Sequence, residues 1–258
     1  MENFREILND FSPTTLDEMD NVKLMNRTDT KFVFNVEQLF SILEKAKDSY
    51  KLLKINNENY LGYETLYFDT INFDMYNAHI NGKLNRYKIR QRKYLISDLN
   101  FLEIKFKNNK RRTIKKRLKI KSIETDISKK SKKFIENNST FFPDSLEAKL
   151  ESNFSRLTLV HKQKKERITI DINLNFKKEN AKIELPFLVI AEVKQDGFST
   201  QSDFMQILHQ ENVQPIGVSK YAIGTLLLNK NLKYNRYKNR LLTLKKISHD
   251  KFYSDVFA

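Results

Sequence analysis

The feature that most constrains this chain is alternation. Several stretches repeat with period two, and their polar positions carry lysine or arginine almost throughout. Such a period sends successive side chains to opposite faces of an extended strand. In Arg86-Tyr87-Lys88-Ile89-Arg90-Gln91-Arg92, four cations share one face. Phe101–Lys107 sets Glu103, Lys105 and Lys107 against Leu102, Ile104 and Phe106. From Thr113 to Ile120, Lys115, Arg117 and Lys119 oppose Ile114, Leu118 and Ile120, with Lys116 breaking the apolar row. Arg167, Thr169 and Asp171 oppose Ile168, Ile170 and Ile172, while Glu192 and Lys194 oppose Val189, Ala191 and Val193. Near the start, Arg27, Asp29 and Lys31 oppose Thr28, Thr30, Phe32 and Phe34. Taken singly, each stretch reads as a strand with one face on a core and one in water. Solvated faces usually mix signs, however, and here at least five strands repeat a cationic one. That repetition predicts one shared surface that receives a polyanion. If the sheet closes into a barrel, the surface becomes a lumen and helices cover the apolar backs.

Composition agrees with this reading without deciding it. Lys and Arg number 47 against 32 Asp and Glu, a formal charge of +15 over 258 residues. Codon bias in an AT-rich genome would give a similar total, whereas a polyanionic partner would be nucleic acid, a lipid surface or a phosphate compound. The absence of Cys excludes disulfides, a thiolate zinc site and a cysteine nucleophile. The four His residues have no metal-ligand spacing. Five scattered Gly cannot build a phosphate loop or a dinucleotide fingerprint, which leaves side chains on strands to bind phosphates. No apolar run reaches the roughly 18–20 residues of a membrane helix, and the acidic, polar stretch Met1–Glu6 is unlike a secretory leader. The expectation is a cytoplasmic protein with a single domain over 1–258, its tail from about 232 forming a basic helical extension.

Helical signals lie between the alternating stretches. Asn35 is placed to cap a helix through Val36, Leu39, Phe40 and Leu43. Pro143-Asp144 is expected to open a second, with Leu146 and Leu150 on one side. Ser199-Thr200 precedes a third carrying Phe204, Ile207 and Leu208, and Ser219 begins a fourth through Tyr221, Ile223 and Leu226. Lys110-Arg111-Arg112 reads as a hairpin tip. Residues 121–142, with the run Lys129–Lys133, read as a mobile connection. His79 and His209 read as surface or helix-packing residues, and Tyr67 and Phe68 as part of the barrel wall.

In order along the chain, Arg27-Thr28-Asp29-Thr30-Lys31-Phe32, Tyr67-Phe68-Asp69-Thr70, Arg90-Gln91-Arg92-Lys93-Tyr94, Glu103-Ile104-Lys105, Arg167-Ile168-Thr169-Ile170-Asp171, Ala191-Glu192-Val193-Lys194 and Ser219-Lys220-Tyr221 resemble the VTC (vacuolar transporter chaperone) polyphosphate polymerase domain. Each motif is weak alone; seven in family order, from residue 27 to about 228, are specific. The resemblance implies an α+β fold of the triphosphate tunnel metalloenzyme type, a closed antiparallel β-barrel of about eight strands with helices outside. It also implies transfer of the terminal phosphate of ATP to a growing polyphosphate chain, with Mn²⁺ or Mg²⁺ as cofactor. It leaves open a membrane-protein partner. No specific nucleic acid is expected, since the sequence offers charge but no reader motif.

Position by position, the resemblance makes Lys31 a tunnel lysine, Arg90 and Arg92 an R-x-R pair on the triphosphate, and Lys105 and Lys115 phosphate contacts. Arg167 corresponds to a tunnel arginine, Glu192 to the metal-binding glutamate, and Ser219 and Lys220 to a Ser-Lys pair near the reacting phosphate. Arg27 and Lys194 join the same lining, and Lys220, Arg90 and Arg92 are the candidates for catalysis. Glu103 is a second candidate metal ligand, or else holds Arg90 or Lys105 in place. Asp69 and Asp171 read as turn residues or partners of lumen cations. Two departures stand out: Lys107 occupies a place where some members have histidine, and an arginine expected on the strand before Arg167 is missing from Val160-His161-Lys162-Gln163-Lys164. Lys162 or Lys164 is left to replace it, without the planar fork of arginine. A tripolyphosphate or nucleoside-triphosphate hydrolase and a non-catalytic polyphosphate sensor remain alternatives.

Overall fold

The alternating stretches become strands of one curled antiparallel sheet. The computed structural model describes residues 2–21, 27–110, 112–197 and 202–249. Its strands are β1 (Pro13–Thr14), β2 (Arg27–Asn35), β3 (Tyr50–Leu53), β4 (Leu61–Thr70), β5 (Arg86–Tyr94), β6 (Leu99–Lys107), β7 (Thr113–Ile120), β8 (Leu146–His161), β9 (Glu166–Lys178), β10 (Ala181–Leu185) and β11 (Leu188–Asp196). Its helices are α1 (Glu2–Asn9), α2 (Leu16–Asn21), α3 (Leu39–Ala46), α4 (Asp74–Ile80), α5 (Lys129–Asn138), α6 (Asp203–Gln210), α7 (Lys220–Leu228) and α8 (Lys238–Ile247). The main path runs β2-β11-β9-β8-β4-β5-β6-β7, with β10 added to β9, β3 paired antiparallel with β8, and β1 parallel with β3. None of the described helices is long and apolar enough to cross a membrane.

The sheet curls without a hydrogen-bonded seam: among the described residues its end strands, β2 and β7, are not paired with each other. The α+β architecture with helices outside matches the expectation, but the barrel is a half-barrel rather than a closed one. Charge supplies a reason. Lys115, Lys116, Arg117 and Lys119 are exposed on β7, and pairing them with Arg27 and Lys31 of β2 would set cation against cation.

Apolar rows cover the outer face. Phe32 and Phe34, Leu157 and Leu159, Ile168 and Ile170, and Val189, Ala191 and Val193 pack with α1, α3 and α6. Farther along, Leu66, Ile89, Leu102 and Ile104 pack with Ile135 of α5. Asn35 closes a capping box at the turn into α3: its side chain accepts the Glu37 N–H at 2.9 Å, and its own N–H donates to Gln38 Oε1.

Two sequence readings are overturned here. Pro143-Asp144 opens only a 3-10 turn, and Leu146 begins the 16-residue strand β8. The spacing from Leu146 to Leu150 is four, which satisfies a helical turn and two strand repeats equally. Burial between β4 and β9 decides for the strand. The stretch 121–142 is not a mobile connection throughout, because Lys129–Asn138 forms α5 with Ser131 and Ile135 fully buried. Its lysines stay on the solvated side of an amphipathic turn. Arg111 and Ser199-Thr200 lie outside the described residues.

Helix α7 differs from the others because it is buried all round, from Tyr221 to Leu227. It fills one end of the curl, between Leu150 of β8 and Leu174 and Phe176 of β9. At Gly224 a Cβ would stand 2.4 Å from Phe176 Cδ1 and 2.8 Å from Leu150 Cδ2, so the helix seats this deeply only with glycine there. Asp69 fixes the neighbouring corner, accepting the N–H groups of Met75 and Tyr76 (2.9 Å each) and the Tyr221 hydroxyl at 2.6 Å. The tail closes over this end: Leu241 and Leu244 of α8 are buried, and Asn35 Nδ2 donates to the Ile247 carbonyl at 2.7 Å.

Candidate active site

The inner face of the sheet collects the polar rows. Register sets Arg90 opposite Glu103, and Lys88 opposite Lys105, which in turn faces Lys115. On the other wall Lys31 is opposite Glu192, and Lys194 lies between Asp29 and Arg167. The curl brings the walls face to face. Lys88 of β5 feels the charge of Lys31 on β2, and Lys105 of β6 feels Glu192 on β11.

Three carboxylates organise this trough, each shared by two cations. Glu103, with no exposed side-chain surface, takes Arg90 Nε at 2.8 Å and Nη2 at 2.7 Å on one oxygen and Lys115 on the other. Asp171 takes Arg156 Nε at 2.6 Å and Nη2 at 2.9 Å, together with Lys220. Glu192 lies between Lys31 at 2.8 Å and Lys194 at 3.0 Å. Burial raises the cost of ionising these carboxyls, but the adjoining cations prevail and hold all three well below the usual carboxylate range. The lysines show the opposite effect. Desolvation and surrounding cations push Lys88 down to about 7, and desolvation first of all pushes Lys194 and Lys220 to about 8. Lys105 is depressed chiefly by Arg90.

The structure thus brings Lys31, Arg90, Arg92, Lys105, Lys115, Arg167, Glu192, Lys194, Ser219 and Lys220 to one surface. Arg92 is buried, donating Nε–H to Thr65 Oγ1 at 3.2 Å, with its guanidinium 5.5 Å from the Tyr63 ring centre and 5.6 Å from that of Phe154. Arg27 stands apart at the rim, exposed and paired with Asp29 at 3.0 Å. Ser219 and Lys220 enter from the start of α7. Ser219 Oγ lies 2.9 Å from Lys88 Nζ, and Lys220 Nζ sits 4.3 Å from the Phe154 ring centre.

Arg156 is a trough residue that the sequence reading does not include: a helix opening at Pro143 hides the alternation Phe154, Arg156, Thr158 against Ser155, Leu157, Leu159. Register nonetheless sets Arg156 beside Asp171. Lys162 and Lys164 do not stand in for an arginine. Both lie in the exposed turn after β8; Lys162 bonds the Lys47 carbonyl and Lys164 the Asp203 carboxylate at the start of α6, on the helix-covered side.

No group of three or more His, Cys, Asp or Glu suited to a metal occurs among the described residues. Mg²⁺ and ions like it commonly use one or two carboxylates plus substrate phosphates and water. Both Glu192 and Glu103 lie between two cations; Glu192, with 21% of its side chain exposed, is open to such an ion, whereas Glu103 has no exposed side-chain surface.

The family model for the VTC domain matches residues 26–229. Solved structures similar to the chain include putative adenylate cyclases from Vibrio parahaemolyticus (11% identity, TM-score 0.46, covering 78% of this chain and 98% of that one) and Bacillus halodurans (12%, 0.46, 76% and 96%). Another is a putative adenylyl cyclase from Hippeastrum described as having a dominant triphosphatase activity (10%, 0.45, 77% and 94%). At such TM-scores none of these likenesses bears on function. No curated protein matches the chain.

Proposed function

The chain belongs to the VTC domain family, and on that premise we propose that it is a metal-dependent polyphosphate polymerase, moving the γ-phosphate of ATP onto the end of a growing polyphosphate chain. The observation that carries this reading is the trough itself: cations from β2, β5, β6, β7, β8, β9, β11 and α7 outnumber its carboxylates on the one inner face of the curled sheet. Burying a multiply charged phosphate chain requires such matched cations.

Phosphoryl transfer spreads charge over the oxygens of a loose transition state, so positioning and electrostatics do most of the work. Arg90 and Arg92 project side by side and offer forked donors to adjacent phosphates. Glu103 holds the Arg90 fork, and Thr65 orients Arg92. Lys31, Lys105, Lys115, Arg167 and Lys194 line the remaining path. Arg156 and Lys220, held by Asp171, converge near the start of α7, where the reacting phosphate is placed in this reading. A divalent cation, Mn²⁺ or Mg²⁺, would be held by Glu192 and would supply charge neutralisation across phosphate oxygens. Glu103, Asp171 and Glu192 are each occupied by two cations, which leaves them poorly placed to activate water. A polyphosphate end is already ionised and needs no such base, and this favours transfer over hydrolysis.

The test is product length after incubation with ATP and Mn²⁺ or Mg²⁺. Long polyphosphate is the expected result, lost in Arg90→Ala and Lys220→Ala. Free phosphate without chain growth would establish a hydrolase instead, and tight polyphosphate binding without turnover a sensor.

A further inference from the structure

Lys88 is a trough residue that polymerisation as described does not use, and it meets a nucleophile. Its Nζ lies 2.9 Å from Ser219 Oγ, the residue that caps α7. We propose that Ser219 is itself phosphorylated by a nucleoside triphosphate bound in the trough, with Lys88 as the general base. The inference rests on the reading that the trough binds such a triphosphate. In the step, Ser219 Oγ bonds to the γ-phosphorus while the bond from that phosphorus to the β–γ bridging oxygen breaks. The electron pair of the broken bond leaves on the nucleoside diphosphate, and the hydroxyl proton passes to Lys88 Nζ.

A serine hydroxyl is a weak nucleophile until an adjacent base accepts its proton, and that base must be within hydrogen-bond reach. Lys88 meets the geometric condition, and its surroundings meet the chemical one. The groups facing it are Arg86 and Arg90 on its own strand, Lys31 from β2, Lys107 and Lys105 from β6, and His79 from α4, while Lys220 follows Ser219 on α7. Burial and these cations favour the neutral amine and hold Lys88 at about 7 before a triphosphate enters; the bound polyanion raises it, so the base works at higher pH. After transfer the ammonium of Lys88 faces a new phosphoserine, whose charge is matched by the same cations. A phosphoryl group anchored there would occupy the end of the trough nearest Lys220 and serve as a protein-bound acceptor.

The experiment incubates the full chain with γ-³²P-ATP and Mn²⁺, denatures it, and maps label by intact mass and phosphopeptide sequencing. One phosphoryl group on Ser219 is expected. Lys88→Met and Lys88→Arg, checked for folding by circular dichroism, should slow labelling about a hundredfold, the scale of general-base catalysis. Wild-type labelling should rise with pH and level off only well above 7, because the bound triphosphate raises Lys88 from its value of about 7 in the free trough. Labelling that is unchanged in Lys88→Arg would show that charge alone suffices and overturn the base. Absence of label on Ser219 overturns the proposal. Polyphosphate growth without protein-bound label defeats this inference alone, whereas labelled Ser219 without chain growth defeats the polymerase reading alone.

Discussion

Replacing Asp171 with Asn probes the charge balance of the trough most directly. The side chain keeps its shape but loses the charge that Arg156 and Lys220 share. Removing one partner of a buried ion pair costs about 3–5 kcal/mol, because the remaining charge stays buried. Arg156 and Lys220 retain 18% and 12% side-chain exposure, so the lower end, about 3 kcal/mol, applies. In a domain of this size each kcal/mol is worth roughly 2–4 °C, and the midpoint should fall by about 6–12 °C. The pH dependence has a definite sign. Arg156 and Lys220 depress the folded-state pKa of this carboxyl below its usual 3.8. The stability it contributes is therefore complete above that value and is lost as the pH falls through the depressed one. Wild type and variant should converge in strong acid. Tripolyphosphate supplies negative charge to the same two cations, so the stabilisation it gives should be larger in Asp171→Asn than in wild type. The assay is thermal and urea unfolding with and without tripolyphosphate. Equal midpoints without ligand, or equal gains with it, would refute the idea that Asp171 holds these cations in place of phosphate.

Three further outcomes are expected. Arg156→Lys should weaken ATP binding about tenfold, measured by calorimetry, since lysine cannot reproduce a bidentate fork. Gly224→Ala should destabilise by about 1–3 kcal/mol through its clash with Phe176 and Leu150, read by urea unfolding, without changing the salt dependence of tripolyphosphate binding. Binding of tripolyphosphate at pH 8 should take up protons, because a polyanion raises Lys88 and Lys220 from about 7 and about 8 toward the ordinary lysine range. Titrations in buffers of different ionisation enthalpy should show that uptake fading by pH 6, where both lysines are already charged.

Period two was legible wherever one face was apolar and the other charged, which is why β2, β5, β6, β7, β9 and β11 could be read from residues alone. Strand β8 was not, because it is buried between two neighbours for much of its length and carries apolar residues on both faces. Arg156 is hidden by the same lack of a clean period. Closure was not legible either: alternation shows which side chains share a face, but not whether β2 and β7 meet. Helix α5 escaped notice because only two of its positions, Ser131 and Ile135, are fully buried. Long-range pairings such as Lys88 with Ser219, 131 residues apart, have no local signature.

The three shared carboxylates explain how so cationic a surface is built into a folded chain. Glu103, Asp171 and Glu192 each hold two cations and neutralise one, so every cluster is fixed in position yet keeps a positive excess. Full neutralisation would leave nothing to attract a polyanion, and no carboxylate at all would set buried cations against one another without compensation. The two-to-one arrangement lies between these limits and orients the arginine forks before a ligand arrives. Lys88, like Arg92 at Thr65, meets a hydroxyl where those clusters have a carboxylate. Its ammonium is opposed by burial and by neighbouring cations, and it stands within hydrogen-bond reach of the Ser219 hydroxyl whose proton it would accept.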